Sequence, residues 1–360
     1  MHHSRSFICY LDRVIMKDEN TSLHDELIAG LKRMGLAGDG AVKLTPLRGG
    51  VASDIFRVDV AGHKPFALKR ALAKMRVVAD WRAPTERNSF EYAWMTEAGR
   101  ILPDAVPHLL GHDAEAGMFA MDYLAPESYP VWKAELRDGM VSPDFAEAVG
   151  KSLAMIHGAT AGRDEIRAQF LTDHIFHPIR LEPYLEATAT KHPAVADRLR
   201  ALSTTTLGRK IALVHGDVSP KNILCGPNGP VFLDAECAWY GDPAFDVAFC
   251  LNHLLLKCLW TPNAIPKFLD AFDVLSRAYL GAVTWEPAGV IEARIATLLP
   301  GLFLARVDGK SPVEYITMDD QRDLVRKTAV PLLANPVDSL GVIAEAWRGA
   351  LRRWNRTALR

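Results

Sequence analysis

The chain has no surplus of charge of either sign. Its 42 lysines and arginines stand against 43 aspartates and glutamates, a formal net charge of −1 over 360 residues. No global field draws in nucleic acid or an anionic membrane, which argues against those partners. Cysteine is scarce: Cys9, Cys225, Cys237, Cys250 and Cys258 lack the paired spacing of a zinc site and are too few for a disulfide framework. They read as small core residues in a reduced, cytoplasmic setting. No apolar run is long enough to read as a bilayer span. The first 22 residues carry Asp12, Lys17, Asp18 and Glu19 where a secretory signal needs an apolar stretch, so they read as a flexible extension. Neither a repeat nor a low-complexity tract stands out. A nucleotide-binding P-loop is also lacking. Gly309-Lys310-Ser311 has Leu304 where the earlier glycine belongs, and Pro312 is poorly placed for a continuing helix.

What is present concentrates in residues 211–248. An apolar run, Ile211 to Val214, leads into His215-Gly216-Asp217, and Asn222 follows Asp217 by five residues. A second apolar run, Asn222 to Cys225, turns at Gly226-Pro227-Asn228-Gly229-Pro230 and returns as Val231-Phe232-Leu233 to Asp234, with Glu236 two residues on. Two short buried strands and a hairpin would bring Asp234 back beside Asn222, with Asp217 on the loop before them. Phosphoryl transfer asks for a carboxylate to orient the attacking hydroxyl and hard oxygen ligands for magnesium, at fixed spacing. Asp217 is placed to be the base, and Asn222 and Asp234 to hold the metal. His215 and Asp242 have structural explanations, as a backbone-bonding histidine and a loop brace or helix cap. Asp246, four residues beyond Asp242, falls inside a buried helix and needs a partner; the backbone of the 215–217 loop is the natural one.

The string HGD-x4-N, then LDAE, then GDPAFDVA, resembles the aminoglycoside phosphotransferase and choline kinase superfamily, over residues 40–340. Its Asp-x-Glu pair looks like that of methylthioribose kinases. The resemblance implies an α+β, bilobal, protein-kinase-like fold, with a small, mostly antiparallel β lobe carrying one key helix and a larger, mainly α-helical lobe. On this chain the lobes would span 23–124 and 125–360. It also implies ATP-dependent phosphorylation of a small-molecule hydroxyl with one or two magnesium ions, GTP not being excluded as donor. Ser219 stands where protein kinases place a lysine, which argues against a protein substrate.

The same resemblance distributes further roles. The loop 49–53, with Gly49, Gly50 and Ser53, covers the phosphates, where glycines let backbone N–H groups approach. Lys69 ends a short strand and grips phosphate, set by Glu91 on the following helix, whose buried face is marked by Phe90, Trp94 and Ala98. Met121, Asp122 and Tyr123 form the hinge beside the base of the nucleotide. Glu236 supports a second metal through water. Trp239, Arg306, Asp308 and Lys310 are candidate acceptor contacts. Asn252, His253 and Lys257, the polar interruptions of an apolar helix, read equally as groups facing the acceptor or as satisfied core and boundary groups. A sugar or polyol acceptor is preferred. An aminoglycoside, choline or amino-alcohol kinase, and a nucleotide-binding pseudokinase, stay open as alternatives. Oligomeric state is not legible.

Overall fold

Strand-forming residues between glycine and proline punctuation build the first part of the chain. A computed structural model describes residues 23–47, 53–72 and 84–358, the last four without side-chain detail. The predicted extension, Gly49 and Gly50 therefore lie outside the described residues. Helix α1 (residues 23–33) precedes β1 (Val42–Pro46), β2 (Ser53–Val60) and β3 (Phe66–Ala71). Helix α2 (Arg87–Ile101), β4 (Leu109–Asp113) and β5 (Met118–Asp122) follow. The five strands form one antiparallel sheet in the order β1-β2-β3-β5-β4. Leu27 and Leu31, one turn apart on α1, cover one face of it against Val58, Phe66, Leu68, Met118 and Ala120. Central β3 is buried from Phe66 through Lys69, so its lysine has to find a partner inside the protein.

The rest is mainly helical. It runs through α3 (Trp132–Arg137), α4 (Pro143–Thr160), the short α5 (Asp164–Gln169) and α6 (Asp173–Phe176), and a π-helical stretch, His177–Glu186. Pro183 inside that stretch has no N–H to donate, which suits the widened turn. Helices α7 (Ala187–Lys191) and α8 (Ala196–Gly208) lead to four short strands: β6 (Ala212–Val214), β7 (Ile223–Gly226), β8 (Gly229–Phe232) and β9 (Trp239–Gly241). β7 and β8 form the expected hairpin, with Gly226 opposite Gly229 across Pro227-Asn228. β6 pairs with β9, a strand the sequence pattern did not announce. Then come α9 (Ala244–Trp260), α10 (Ile265–Gly281), α11 (Ala288–Asp308), α12 (Asp319–Ala334) and α13 (Leu340–Ala358). Two compact units result. One holds the residues through Tyr92 with His108–Tyr123; the other holds Ala93–Pro107 with Leu124–Arg360. The sequence reading had kept 93–107 with the first lobe. An antiparallel sheet unit and a mainly helical unit are the two lobes of a kinase-like fold.

By length and composition α11 meets the test for a membrane span, with mean hydropathy 1.5, which the sequence reading had not noticed. Its apolar window is 61% buried within the protein, as in a core helix. α9 is buried along its whole length apart from Trp260. α4 crosses α10 at Gly150, where a Cβ would sit 2.6 Å from the Leu275 carbonyl oxygen and 3.2 Å from the Tyr279 nitrogen. Backbone on both sides leaves little room to yield. Gly150→Ala should therefore destabilise by about 1–3 kcal/mol, the cost of overpacking. Gly289→Ala, at a helical site with nothing within 4 Å of the added carbon, should be neutral or stabilising by up to about 1 kcal/mol. Urea midpoints of the two variants test this; equal shifts would refute the close crossing.

Candidate active site

The loop after β6 is built on a buried carboxylate. Asp246, in the first turn of α9, accepts the His215 N–H on Oδ2 at 2.7 Å and the Gly216 N–H on Oδ1 at 2.8 Å. His157 of α4 donates from Nε2 to the same carboxylate at 3.2 Å, and its Nδ1 lies 3.0 Å from the Tyr279 hydroxyl. Gly216 has φ +80°, and a Cβ there would come within 2.6 Å of the Cys237 carbonyl oxygen, so only glycine turns here without strain. The His215 ring joins two segments. Its Nδ1 accepts from the Asp217 N–H at 3.1 Å, and its Nε2 donates to the Leu233 carbonyl at 3.1 Å. Those partners suit a neutral ring, and burial holds its pKa below the ordinary imidazole value. His215 thus ties the loop carrying Asp217 to the residue before Asp234.

Asp217 is 4% exposed. Arg180 Nη2 lies 2.8 Å and Lys221 Nζ 3.2 Å from its Oδ2. Arg180 also donates from Nε to the Gly216 carbonyl at 2.6 Å, which fixes the guanidinium against the loop. Burial alone would raise the Asp217 carboxyl. The Arg180 guanidinium and the Lys221 ammonium outweigh it and hold the group below the ordinary carboxylate value. Both cations approach the same oxygen, Oδ2. Arg180 was not anticipated: it sits in the π-helical stretch, 37 residues before Asp217, at no spacing tied to the motif.

Asn222 closes a 3₁₀ turn, Pro220–Asn222. Its Nδ2 donates to the Asp217 carbonyl at 3.1 Å, and its own carbonyl accepts from the Leu233 N–H at 2.9 Å. The amide is thereby oriented, and its Oδ1 is the atom left to ligate. Asp234 follows with φ +68°, the one non-glycine residue with positive φ among the described residues. Strain of this kind persists where surrounding structure over-determines it, often at functional positions. Glu236 is buried two residues on. An amide oxygen and one or two carboxylates suit magnesium, which fills its remaining positions with phosphate oxygens and water.

In the sheet unit, Lys69 Nζ lies 2.7 Å from Glu91 Oε1, and both side chains are almost fully buried. Ser53 opens β2 and is buried opposite Ala71. Met121 and Asp122 end β5, Met121 buried and Asp122 exposed, and Arg57 lies over the Tyr123 ring at 5.1 Å.

The four acceptor candidates are not brought together. Trp239 is buried in β9, stacked on Phe176 with centroids 4.2 Å apart, and donates from Nε1 to Asp173 at 2.6 Å. Asp308 is held by Arg326 at 2.7 Å and His192 at 2.7 Å, and Lys310 pairs with Glu182 at 2.5 Å. These three are engaged in bracing contacts. Arg306 is different: it is buried, with Nη1 bonded to Tyr184 and Ser311, while Nε has no protein partner.

A sequence model described as Phosphotransferase enzyme family matches residues 43–288. A methylthioribose kinase from Erwinia tasmaniensis is 25% identical over 240 residues, 59% of this chain and 59% of its own. One from Escherichia coli O45:K1 is 27% identical over 233 residues, 56% of this chain and 54% of its own. The chain thus spans less than two thirds of the length of these relatives. Among solved structures, a choline/ethanolamine kinase family protein from Mesorhizobium loti aligns over 92% of this chain and 99% of its own, at 16% identity and a TM-score of 0.49.

Asp246→Ala would strand two buried backbone donors, at about 1–3 kcal/mol each, or about 2–6 kcal/mol together. That is a large part of a typical stability. Asp246→Asn keeps one acceptor oxygen and should lose less. Chemical denaturation of both variants would decide; an alanine variant as stable as the parent would show that the carboxylate does not hold the loop.

Proposed function

The chain belongs to the Phosphotransferase enzyme family, and from that premise we propose that it transfers the γ-phosphoryl group of ATP to a hydroxyl of a small molecule. The observation that carries this reading is the Asp217 carboxylate, buried and held ionised by two cations, on a loop tied to Asn222 and to the residue before Asp234.

In this mechanism Asp217 orients the acceptor hydroxyl and takes its proton as the new P–O bond forms. Arg180 keeps the carboxylate ionised and fixes its rotamer. Asn222 Oδ1 and Asp234 would hold magnesium, and Glu236 would support a second ion through water. When bound, magnesium screens the charge of the triphosphate and fixes its geometry. Lys69, set by Glu91, would grip the phosphates, and the backbone of Met121, Asp122 and Tyr123 would meet the base of the nucleotide. A small-molecule acceptor of sugar or polyol type is supported by the methylthioribose kinases among the relatives. A cytoplasmic setting belongs to the same reading and agrees with the free thiols Cys225, Cys237, Cys250 and Cys258.

Two substitutions test the assignment. Asp217→Asn should lower turnover by about 10²–10⁴-fold, the usual range for a lost general base, with folding preserved. Near-normal turnover would remove Asp217 from that role. Asp234→Ala should abolish the magnesium-dependent part of ATP binding, measured by titration calorimetry with and without the metal; an unchanged metal dependence would contradict it.

A further inference from the structure

One face of α9 carries chemistry that the mechanism above does not use. Phe249, His253, Lys257 and Trp260 fall at i, i+4, i+8 and i+11, a single stripe along the helix. Tyr184 borders its start, with ring centroids 5.5 Å from Phe249, and Arg306 lies against Tyr184, bonded to its hydroxyl at 3.1 Å. At the far end Lys257 Nζ lies 4.5 Å from the Trp260 ring and 4.7 Å from the Tyr315 ring, and those rings stack at 4.5 Å. Lys221, which reaches Asp217, is also among the cations that act electrostatically on His253.

The wall is cationic and incompletely partnered. Lys257 is 1% exposed and Arg306 9%, and among the described residues neither has a carboxylate within ion-pair distance. Glu314, the carboxylate that acts on Lys257, is itself paired with Lys133. The charges acting most on His253 are Arg306, Lys257, Lys221 and Lys133, all positive. Three buried polar atoms here have no protein partner: His253 Nε2, Arg306 Nε and the Tyr315 hydroxyl. Buried polar atoms are normally satisfied, and a buried charge is costly without a counter-charge. An ammonium surrounded by π faces and like charges is poorly explained as a stabilising device. Burial, then Lys133, pushes its pKa down to about 7. That penalty on folding is full below about pH 7 and fades as pH rises toward the ordinary lysine value.

We propose that this wall binds an oxyanion on the acceptor, a carboxylate or a phosphate carried on the same molecule as the reacting hydroxyl, with Lys257 and Arg306 as its principal ligands. The proposal deepens the kinase reading and rests on it. A polycationic aminoglycoside would meet like charge here. A quaternary ammonium would find the Trp260 and Tyr315 faces already taken by Lys257. A neutral polyol would leave Lys257 uncompensated.

Matched probes test it: D-gluconate against D-glucitol for a carboxylate, and D-ribose 5-phosphate against D-ribose for a phosphate. Binding is read by calorimetry in the presence of magnesium and a non-hydrolysable ATP analogue, and transfer by release of ADP. An oxyanion member should be preferred over its neutral parent by roughly ten- to a hundredfold, the size of one charge-assisted hydrogen bond. Lys257→Met should lose that preference while melting no lower than the parent protein and keeping its affinity for magnesium–ATP. A purely structural lysine would give the opposite pattern, lowered melting with the preference intact, and that would overturn the proposal. Transfer to the neutral members alone would also overturn it and leave the kinase reading standing. Binding of an oxyanion member without transfer would uphold the wall and count against the kinase reading. No oxyanion member binding better than its parent would overturn the proposal outright.

Discussion

Everything at the candidate site depends on the Asp246 carboxylate. A loop that turns through a left-handed glycine and presents a buried acid has little regular hydrogen bonding of its own, so its donors must be satisfied from outside. Asp246 does this with both oxygens, one for each of two successive N–H groups. It is held in turn by His157, which is held by Tyr279, so three helices converge on one turn of backbone. Because the carboxylate belongs to the first turn of a wholly buried helix, the loop inherits the rigidity of the core. The adjoining Asp242 is braced independently, by Arg294, which also holds Glu286. The two acids of the GDPAFDVA segment thus have different duties. One fixes the loop, and the other fixes the approach of the chain to the helix.

Two buried ion pairs follow the opposite logic. Lys69–Glu91 and Arg180–Asp217 each take charge out of water, and the desolvation cost of such a pair roughly cancels its attraction, so neither is an economical way to stabilise a fold. What they supply is orientation. In each, one group is held ready to meet something charged or reactive, and its partner prevents it from changing rotamer or protonation state. Arg180 illustrates the point. It is rigid through its bond to the Gly216 carbonyl, and from there it meets the Asp217 carboxylate at 2.8 Å.

How much of this was legible from sequence varies with how local the cause is. The hairpin was legible because Gly226 to Pro230 can hardly do anything but turn, and two short apolar runs flank it. The tie between Asp246 and the 215–217 loop was legible from an argument of need: a carboxylate in a run of apolar residues must find donors. Lys69 and Glu91 were brought together by the resemblance, with Glu91 chosen because it borders the face marked by Phe90, Trp94 and Ala98. Arg180 was not legible, because its contact with Asp217 depends on how a proline-containing π-helical stretch packs, and no spacing rule reaches across 37 residues. Strand β9 was missed because Trp239-Tyr240-Gly241 has too few residues to show alternation, and only its pairing with β6 makes it a strand. Trp239, Asp308 and Lys310 show a complementary limit. Residue type suggested substrate contacts, but each has a neighbour that accounts for its position: a stacked phenylalanine, an arginine and histidine, a glutamate.

Helix α9 links the two ends of the proposed chemistry. Asp246 in its first turn sets the catalytic loop, and Lys257 lies eleven residues further along, about 16 Å at 1.5 Å per residue. A helix buried on all sides cannot bend or slide appreciably without disturbing the packing of α10 and α11 against it. The separation between the carboxylate that anchors the 215–217 loop and the cationic wall is therefore fixed by the core and not by mobile loops. An acceptor that satisfied both ends would be selected by the distance between its hydroxyl and its anionic group as well as by charge. A shorter molecule of the same charge could reach one end only. Selection by length needs a rigid ruler, and the close packing of α9 in the core supplies the stiffness while the stripe at Phe249, His253, Lys257 and Trp260 supplies the marks.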